Sequence, residues 1–367
     1  MMIGRAELSL KPDRGALEGR ELGVSKWRKP VMKIVSTVGL RAPQRALVER
    51  AVPGAEIVDR QCRTIEEMAE LVTSANGCDV LFTFRVPSET MRIAPQLKWI
   101  QLLSAGADHA LKGQVGAAVA LTTSSGIHAA TMAEYTIASM LAFAHKLHLL
   151  IRAQANREWR RSGDFMSMVD AMRGHTLGVV GYGSIAREAA RLGRALGMRV
   201  VALKRNPAAR RDEGWMPAGL GDPDGSIPER FYGPDDRVEM LAECDYVVVT
   251  LPLTEATRGF IGERELGAMK PHAYLVNVGR GEVVDQGALV EALRAGRIGG
   301  AGLDVFEREP LEADSPLWAM ENTILTPHMS GAFRGYVETC CELFADNLRR
   351  FAADQPLLNQ VDPALGY

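Results

Sequence analysis

Little in this sequence points to secretion, a metal centre or a strongly charged partner. Its five cysteines, Cys62, Cys78, Cys244, Cys340 and Cys341, form no CxxC pair. An odd number scattered along a long chain argues against a disulfide framework, so a reduced, cytoplasmic setting is expected. The adjacent Cys340 and Cys341 are expected to be structural. The formal net charge is only −2. It lacks the basic excess that a nucleic-acid partner calls for, and no run of like charge marks a tail. The first thirty residues are polar and punctuated by Gly and Pro, without an apolar core of signal-peptide length. One stretch, Ile127 to Ile151, is apolar enough to test as a membrane span. Glu134, His145, Lys146 and His148 interrupt it, whereas a span takes about 20 consecutive apolar residues. A long buried helix beginning near His128 is expected instead, with no membrane contact. His145 and His148 share a helical face, but no third ligand of suitable spacing accompanies them. Neither a GxSxG elbow nor a Walker loop is present.

What the chain does have is a steady alternation of short apolar runs and helical patterns. This implies parallel sheets covered on both faces, an α/β architecture. MKIVSTV (32–38), AEIV (55–58), CDVLFT (78–83), KWIQLL (98–103) and AVALTT (118–123) give a first set of five strands. TLGVVG (176–181), MRVVAL (198–203), DYVVVT (245–250), AYLVNV (273–278), GAGLDV (300–305) and TILT (323–326) give a second set of six. Six strands with intervening helices match a dinucleotide-binding sheet. Phe333 to Ala353 has the pattern of one helix, expected to return to the first domain. Ala208 to Arg237, rich in Gly, Pro and Asp, is expected to be a surface loop, with an excursion over the cofactor site as the alternative.

Gly181-Tyr182-Gly183-Ser184-Ile185-Ala186 follows the first strand of the second set and opens a helix. Gly181 permits a tight turn, Gly183 lets backbone approach a pyrophosphate, and the helix start offers unpaired amides. Ala186 stands at the third, packing position of the fingerprint. The next strand ends at Leu203, where an acid would accept from the adenosine ribose of NAD(H). Here stand Lys204 and Arg205. A carboxylate would repel a 2′-phosphate and a guanidinium can fork onto one, so NADP(H) is favoured, with NAD(H) possible.

Three further loops follow apolar runs: NVGRGEVVD (277–285), LDVFEREPL (303–311) and LTPHMSGA (325–332). In an open parallel sheet the ligand crevice lies beyond the carboxyl ends of the strands, so Arg280, Glu309 and His328 can converge there. With these motifs the chain resembles the D-isomer-specific 2-hydroxyacid dehydrogenase family over residues 32 to 367. The resemblance implies an NAD(P)-dependent enzyme, usually a homodimer, that passes a hydride between the nicotinamide and a small 2-keto or 2-hydroxy acid. It implies two Rossmann-like or flavodoxin-like domains, with the substrate domain discontinuous around the dinucleotide-binding domain. The expected boundaries are an extension over 1–31, a substrate domain over 32–126 and 332–367, and the cofactor domain over 127–331.

Carried over by motif, Arg280 binds substrate, His328 is the acid–base and Glu309 its carboxylate partner, which favours the imidazolium and fixes the ring. Thr131, Pro252, Val278 and Asp304 join the glycine loop on the cofactor side, Thr131 and Asp304 near the nicotinamide. Ser104, Ala105 and Gly106, in LLSAGADH, offer backbone amides to the substrate carboxylate. Arg85, after CDVLFT, is expected at the surface, with the lining of the same cleft as the alternative. Two alternatives stay open: an NAD-dependent enzyme like phosphoglycerate dehydrogenase, and a non-enzymatic, NAD(H)-sensing protein like the family's corepressors.

Overall fold

The computed structural model describes residues 31–362 except 108, 112–114, 117, 162 and 164–167. The expected N-terminal extension up to residue 30, Asp108 of the LLSAGADH loop and the closing residues 363–367 lie outside the described residues.

The first sheet is built from β1 (Lys33–Ser36), β2 (Glu56–Asp59), β3 (Val80–Thr83), β4 (Trp99–Leu102) and β5 (Ala120–Thr122), in the order β2-β1-β3-β4-β5 and parallel throughout. Between its strands run α1 (Ala42–Ala51), α2 (Ile65–Ser74) and the single turn α3 (Thr90–Ile93). Every residue of β3 and β4 is buried, as both-sided cover demands. From this half the chain crosses through α4 (Ala129–Ala144) and α5 (Leu147–Ala155). The one long helix expected here is two. The chain turns at His145–Lys146, where Lys146 takes a left-handed φ of 58° and its ammonium lies over the Phe143 ring. No helix among the described residues is long and apolar enough to cross a membrane.

The second sheet has seven strands rather than six: β6 (Thr176–Val180), β7 (Arg199–Leu203), β8 (Arg230–Tyr232), β9 (Tyr246–Val249), β10 (Tyr274–Asn277), β11 (Gly300–Leu303) and β12 (Thr323–Leu325). Its order is β12-β11-β10-β9-β6-β7-β8, flanked by α6 (Ser184–Ala195), α7 (Arg237–Glu243), α8 (Glu263–Ala268) and α9 (Gln286–Arg294). The strand order reverses at β6, which places a ligand crevice beyond the carboxyl ends of β6 and β9. The extra strand, β8, lies inside the stretch expected to be a loop. It is a three-residue edge strand whose partner is β7, so no alternating pattern announces it.

The chain then returns. In α10 (Tyr336–Ala352), Phe344 stacks on Phe82 of β3 with ring centroids 4.3 Å apart, and Cys340 and Cys341 are both fully buried. The core around the first sheet is thus completed by residues from the far end of the chain. The two crossing segments touch: His128 Nδ1–H donates to Gly331 O at 2.9 Å, and Tyr336 OH donates to Leu103 O at 2.8 Å.

At the opposite, amino-terminal edge of the second sheet, Asp245 is a charge hub. Its carboxylate takes Thr176 N (2.7 Å), Lys270 Nζ (2.7 Å) and His272 Nε2 (2.8 Å), with His175 Nδ1 3.7 Å away. Burial alone would raise its pKa, but the Lys270 ammonium, the Thr176 amide and His272 outweigh it and hold the carboxyl below the usual range. Lys270 already supplies the cation at this cluster, which suits an ion-pair hub. A carboxylate with a lowered folded pKa stabilises the fold above its unfolded value of about 4 and loses that contribution as the pH falls through the folded value. Lys270→Met should therefore cost about 1–3 kcal/mol near pH 7, a deficit that shrinks below about pH 4. Urea unfolding from pH 8 down to pH 3 measures it; a deficit that does not change with pH contradicts the assignment.

Candidate active site

β10, β11 and β12 are neighbours and run parallel, so the loops that follow them leave the same edge of the sheet. Arg280, Glu309 and His328 stand on those three loops. After β10, Asn277 folds the turn with its side chain: Oδ1 accepts from Gly279 N and Nδ2 donates to Arg280 O, both at 3.1 Å. Two glycines let this turn press on its neighbours. A Cβ at Gly279 would lie 2.7 Å from Leu251 O, and one at Gly281 would lie 1.9 Å from the carbonyl carbon of Phe306. Arg280 is half-buried between them, and its Nη1 donates to Gly279 O at 3.0 Å.

Phe306 links this turn to the acid. Its amide donates to Glu309 Oε1 at 3.0 Å, while Glu309 Oε2 lies 2.7 Å from His328 Nδ1. The imidazole is half exposed. With Nδ1 committed to Glu309, Nε2 is the nitrogen left for a substrate. His328 itself adopts a left-handed φ of 50°, an uncommon backbone state for a residue with a side chain. Asp304 holds that conformation. It is fully buried; its Oδ1 accepts from Thr326 Oγ1 (2.6 Å) and Met329 N (2.9 Å), its Oδ2 from Ser330 N (2.9 Å), and its carbonyl from His328 N (2.8 Å). Tyr135 OH, 2.7 Å from Thr326 Oγ1, extends the network into α4. The Asp304 carboxylate is thus engaged by the histidine loop, a role that spacing did not reveal because the acceptor and its donors are more than twenty residues apart.

On the other side of the crevice the glycine loop fits a dinucleotide. Gly181 has φ +92°, and a Cβ there would lie 2.9 Å from Leu251 Cδ2. A Cβ at Gly183 would meet nothing within 4 Å, so the face above the loop is open to an approaching phosphate. Gly183 is the N-cap of α6 and no side chain caps it, which leaves the amides of Ser184, Ile185 and Ala186 without helical acceptors. Tyr182, in contrast, points away: it is 3% exposed and its OH donates to Asp222 Oδ2 at 2.7 Å. Only its backbone can serve a ligand. The same holds for Val278, 3% exposed in the core. Pro252 is half-buried after β9, and Thr131 is half-buried on α4.

The two cations after β7 have different surroundings. Lys204 Nζ donates to Ala209 O, and Arg187, Asp212 and Glu213 surround it; burial and the Arg187 charge push its pKa down. Arg205 is exposed at the strand end. Lys204 is therefore turned onto its own chain, which its place in the sequence did not show.

On the first sheet, Ser104 Oγ donates to Gly106 O at 2.8 Å, shaping the turn after β4, and Ala105 is exposed. Beside it, Ile65, Phe84, Arg85, Val86 and His109 line a pocket of about 360 Å³. Arg85 is exposed, as expected.

Residues 137–330 match the model of the D-isomer specific 2-hydroxyacid dehydrogenase, NAD binding domain. The chain belongs to the D-isomer specific 2-hydroxyacid dehydrogenase family. It is an NAD(P)-dependent 2-hydroxyacid dehydrogenase, and the glycine loop lies within the matched NAD binding domain. A glyoxylate reductase of Aeropyrum pernix is 35% identical over 302 residues, 80% of this chain and 85% of that protein. A family structure from Xanthobacter autotrophicus Py2, in complex with NADPH and MES, has TM-score 0.72 and 29% identity, covering 92% of this chain and 100% of that one. The NADPH-dependent glyoxylate/hydroxypyruvate reductase of Sinorhizobium meliloti, in complex with NADP and sulfate, has TM-score 0.72 and 25% identity, covering 92% of this chain and 100% of that one.

Proposed function

We propose that this enzyme is an NADPH-preferring reductase of small 2-keto acids, with His328 as acid–base, Glu309 as its partner and Arg280 as the substrate-binding cation. The observation that carries this reading is the 2.7 Å His328–Glu309 pair beside the Arg280 turn, on an edge shared with an open nucleotide loop. A bound nicotinamide supplies the hydride. The Arg280 guanidinium holds the keto acid's carboxylate and draws electron density from the adjacent carbonyl. His328 gives its Nε2 proton to the carbonyl oxygen in reduction and takes it back in oxidation. Glu309 keeps the ring oriented through its 2.7 Å contact with Nδ1, while Asp304 holds the backbone that carries it. The turn at Ser104, Ala105 and Gly106 offers amides to the same carboxylate from the other side.

Glyoxylate or hydroxypyruvate suits this site, and the relatives from Aeropyrum pernix and Sinorhizobium meliloti support that size of substrate. The cofactor preference rests on Lys204 and Arg205 and is supported by the NADPH and NADP found in two relatives. In this reading residues 32–126 and 332–367 form the substrate domain around a cofactor domain over 127–331. A homodimer belongs to the same reading, as the resemblance to the family implies.

The test is oxidation of NADPH and NADH with glyoxylate, hydroxypyruvate and pyruvate; no turnover with any pair ends the proposal. Lys204 and Arg205 follow β7 together, and Arg205 is the more exposed of the two. Arg205→Ala should raise the KM for NADPH roughly tenfold or more while leaving NADH nearly unchanged, the cost of one charge-assisted phosphate contact. Equal losses for both cofactors contradict this part of the reading.

A further inference from the structure

The connection between β7 and β8, residues 204–229, contains no regular element, yet it is fixed at two distant places. The first is Arg187 on α6, three residues beyond the first helical residue. The Arg187 side chain is completely buried. Its Nη1 donates to Asp222 O, its Nη2 donates to Arg210 O at 2.7 Å, and its Nε lies 3.3 Å from Asp212 Oδ2. Its guanidinium carbon sits 4.6 Å from the centre of the Tyr182 ring. The Tyr182 hydroxyl and the amide of Ile227 share Asp222 Oδ2, while Ser226 N donates to Asp222 Oδ1. Glu188, the next residue of α6, takes Gly221 N at 2.6 Å. A buried guanidinium needs acceptors and a counter-charge, and here the acceptors of Nη1 and Nη2 and the Asp212 carboxylate all come from one segment.

The second place is across the molecule. Trp215 N donates to Asn359 Oδ1 at 3.0 Å, and its indole Nε1 donates to Asp346 Oδ2 at 3.4 Å. A Cβ on Gly126 would fall 1.8 Å from Trp215 O, so chain runs against chain there. Asp346 belongs to α10 and Asn359 Nδ2 donates to Ser125 O at 2.7 Å, so both sit with the first sheet. Residues 204–229, most of the stretch expected to be a surface loop, have no regular element and are largely exposed, but they are anchored at these two places. They form a strap from the glycine loop to the opposite half of the molecule.

We propose that Arg187 is a positioning residue for the cofactor, and that the strap it clamps couples the glycine loop to the substrate half. This rests on the nucleotide reading of that loop. Arg187 acts through Tyr182, whose backbone lies between the two loop glycines, and through Asp222, which grips the Tyr182 hydroxyl. The loop cannot shift relative to the first sheet without loosening either the Arg187 clamp or the Trp215 contacts.

Three variants test this in the full chain: Arg187→Met, Tyr182→Phe and Trp215→Ala. Dissociation constants for NADPH and NADH, kinetics with glyoxylate and melting temperatures are measured together. Arg187→Met should weaken both cofactors on the order of tenfold, with the loss falling on cofactor KM more than on kcat. Arg187→Lys should not restore binding, because one ammonium cannot answer acceptors arranged for a planar fork. Should Arg187→Met fail to fold, Tyr182→Phe asks the same question by removing one hydrogen bond, with roughly a threefold weakening expected. Trp215→Ala should lower kcat/KM for glyoxylate more than it weakens either cofactor. Wild-type dissociation constants in a folded Arg187→Met or Tyr182→Phe variant, with only the melting temperature lowered, overturn the proposal. A wild-type enzyme that binds neither cofactor instead removes the nucleotide reading beneath it.

Discussion

Replacing His328 with alanine should lower kcat on 2-keto acids by about two to four orders of magnitude while leaving the cofactor dissociation constant near its wild-type value. The imidazole is the group placed to move a proton at the carbonyl oxygen, and without it that oxygen must wait for water. Nothing in the glycine loop touches His328, so nucleotide affinity is the internal control. Glu309→Gln separates proton transfer from orientation: the amide keeps the size and an acceptor oxygen beside Nδ1 but not the negative charge. Its loss should be smaller than that of His328→Ala, because the imidazole itself remains. Full turnover in His328→Ala would mean that another residue is the acid.

Gly281→Ala should have an effect out of scale with one methyl group. The added Cβ would sit 1.9 Å from the carbonyl carbon of Phe306, against backbone that has no side-chain freedom to yield. Either the Arg280 turn or the Phe306–Glu309 loop must move. Both outcomes separate Arg280 from the His328–Glu309 pair, and a displacement near 1 Å in a catalytic group can cost roughly a hundredfold in rate. Overpacking of this kind also costs about 1–3 kcal/mol of stability. The expected signature is a kcat/KM for glyoxylate down about a hundredfold together with a lowered melting temperature. A variant with wild-type kinetics would show that the two loops are not held in register by this contact.

Much of the fold was legible because strands buried on both faces are written as continuous apolar runs: VLFT and YLVN leave little room for another reading. β8 was not, since RFY is short, lies on an edge and begins with an exposed Arg230. The break after α4 was not either, because no Gly or Pro stands at His145–Lys146 and the left-handed turn is borne by a lysine. At the site, motifs brought Arg280, Glu309 and His328 to one edge, and strand order explains why. What spacing hid were the partners of charged groups. Arg187 in an amphipathic helix looks solvent-facing until the strap that covers it is seen. The hydrogen bond from the Lys204 ammonium to Ala209 O was hidden in the same way.

One consequence concerns how the polypeptide matures. Phe82 and Trp99 lie near the beginning of the chain, but Phe344 and Phe351, which cover them, are synthesised last. The half made first must therefore wait on the ribosome with its aromatic face uncovered, while the half made second already has its own interior. Emergence of the final helix, not of the first strands, is the event that completes the early half.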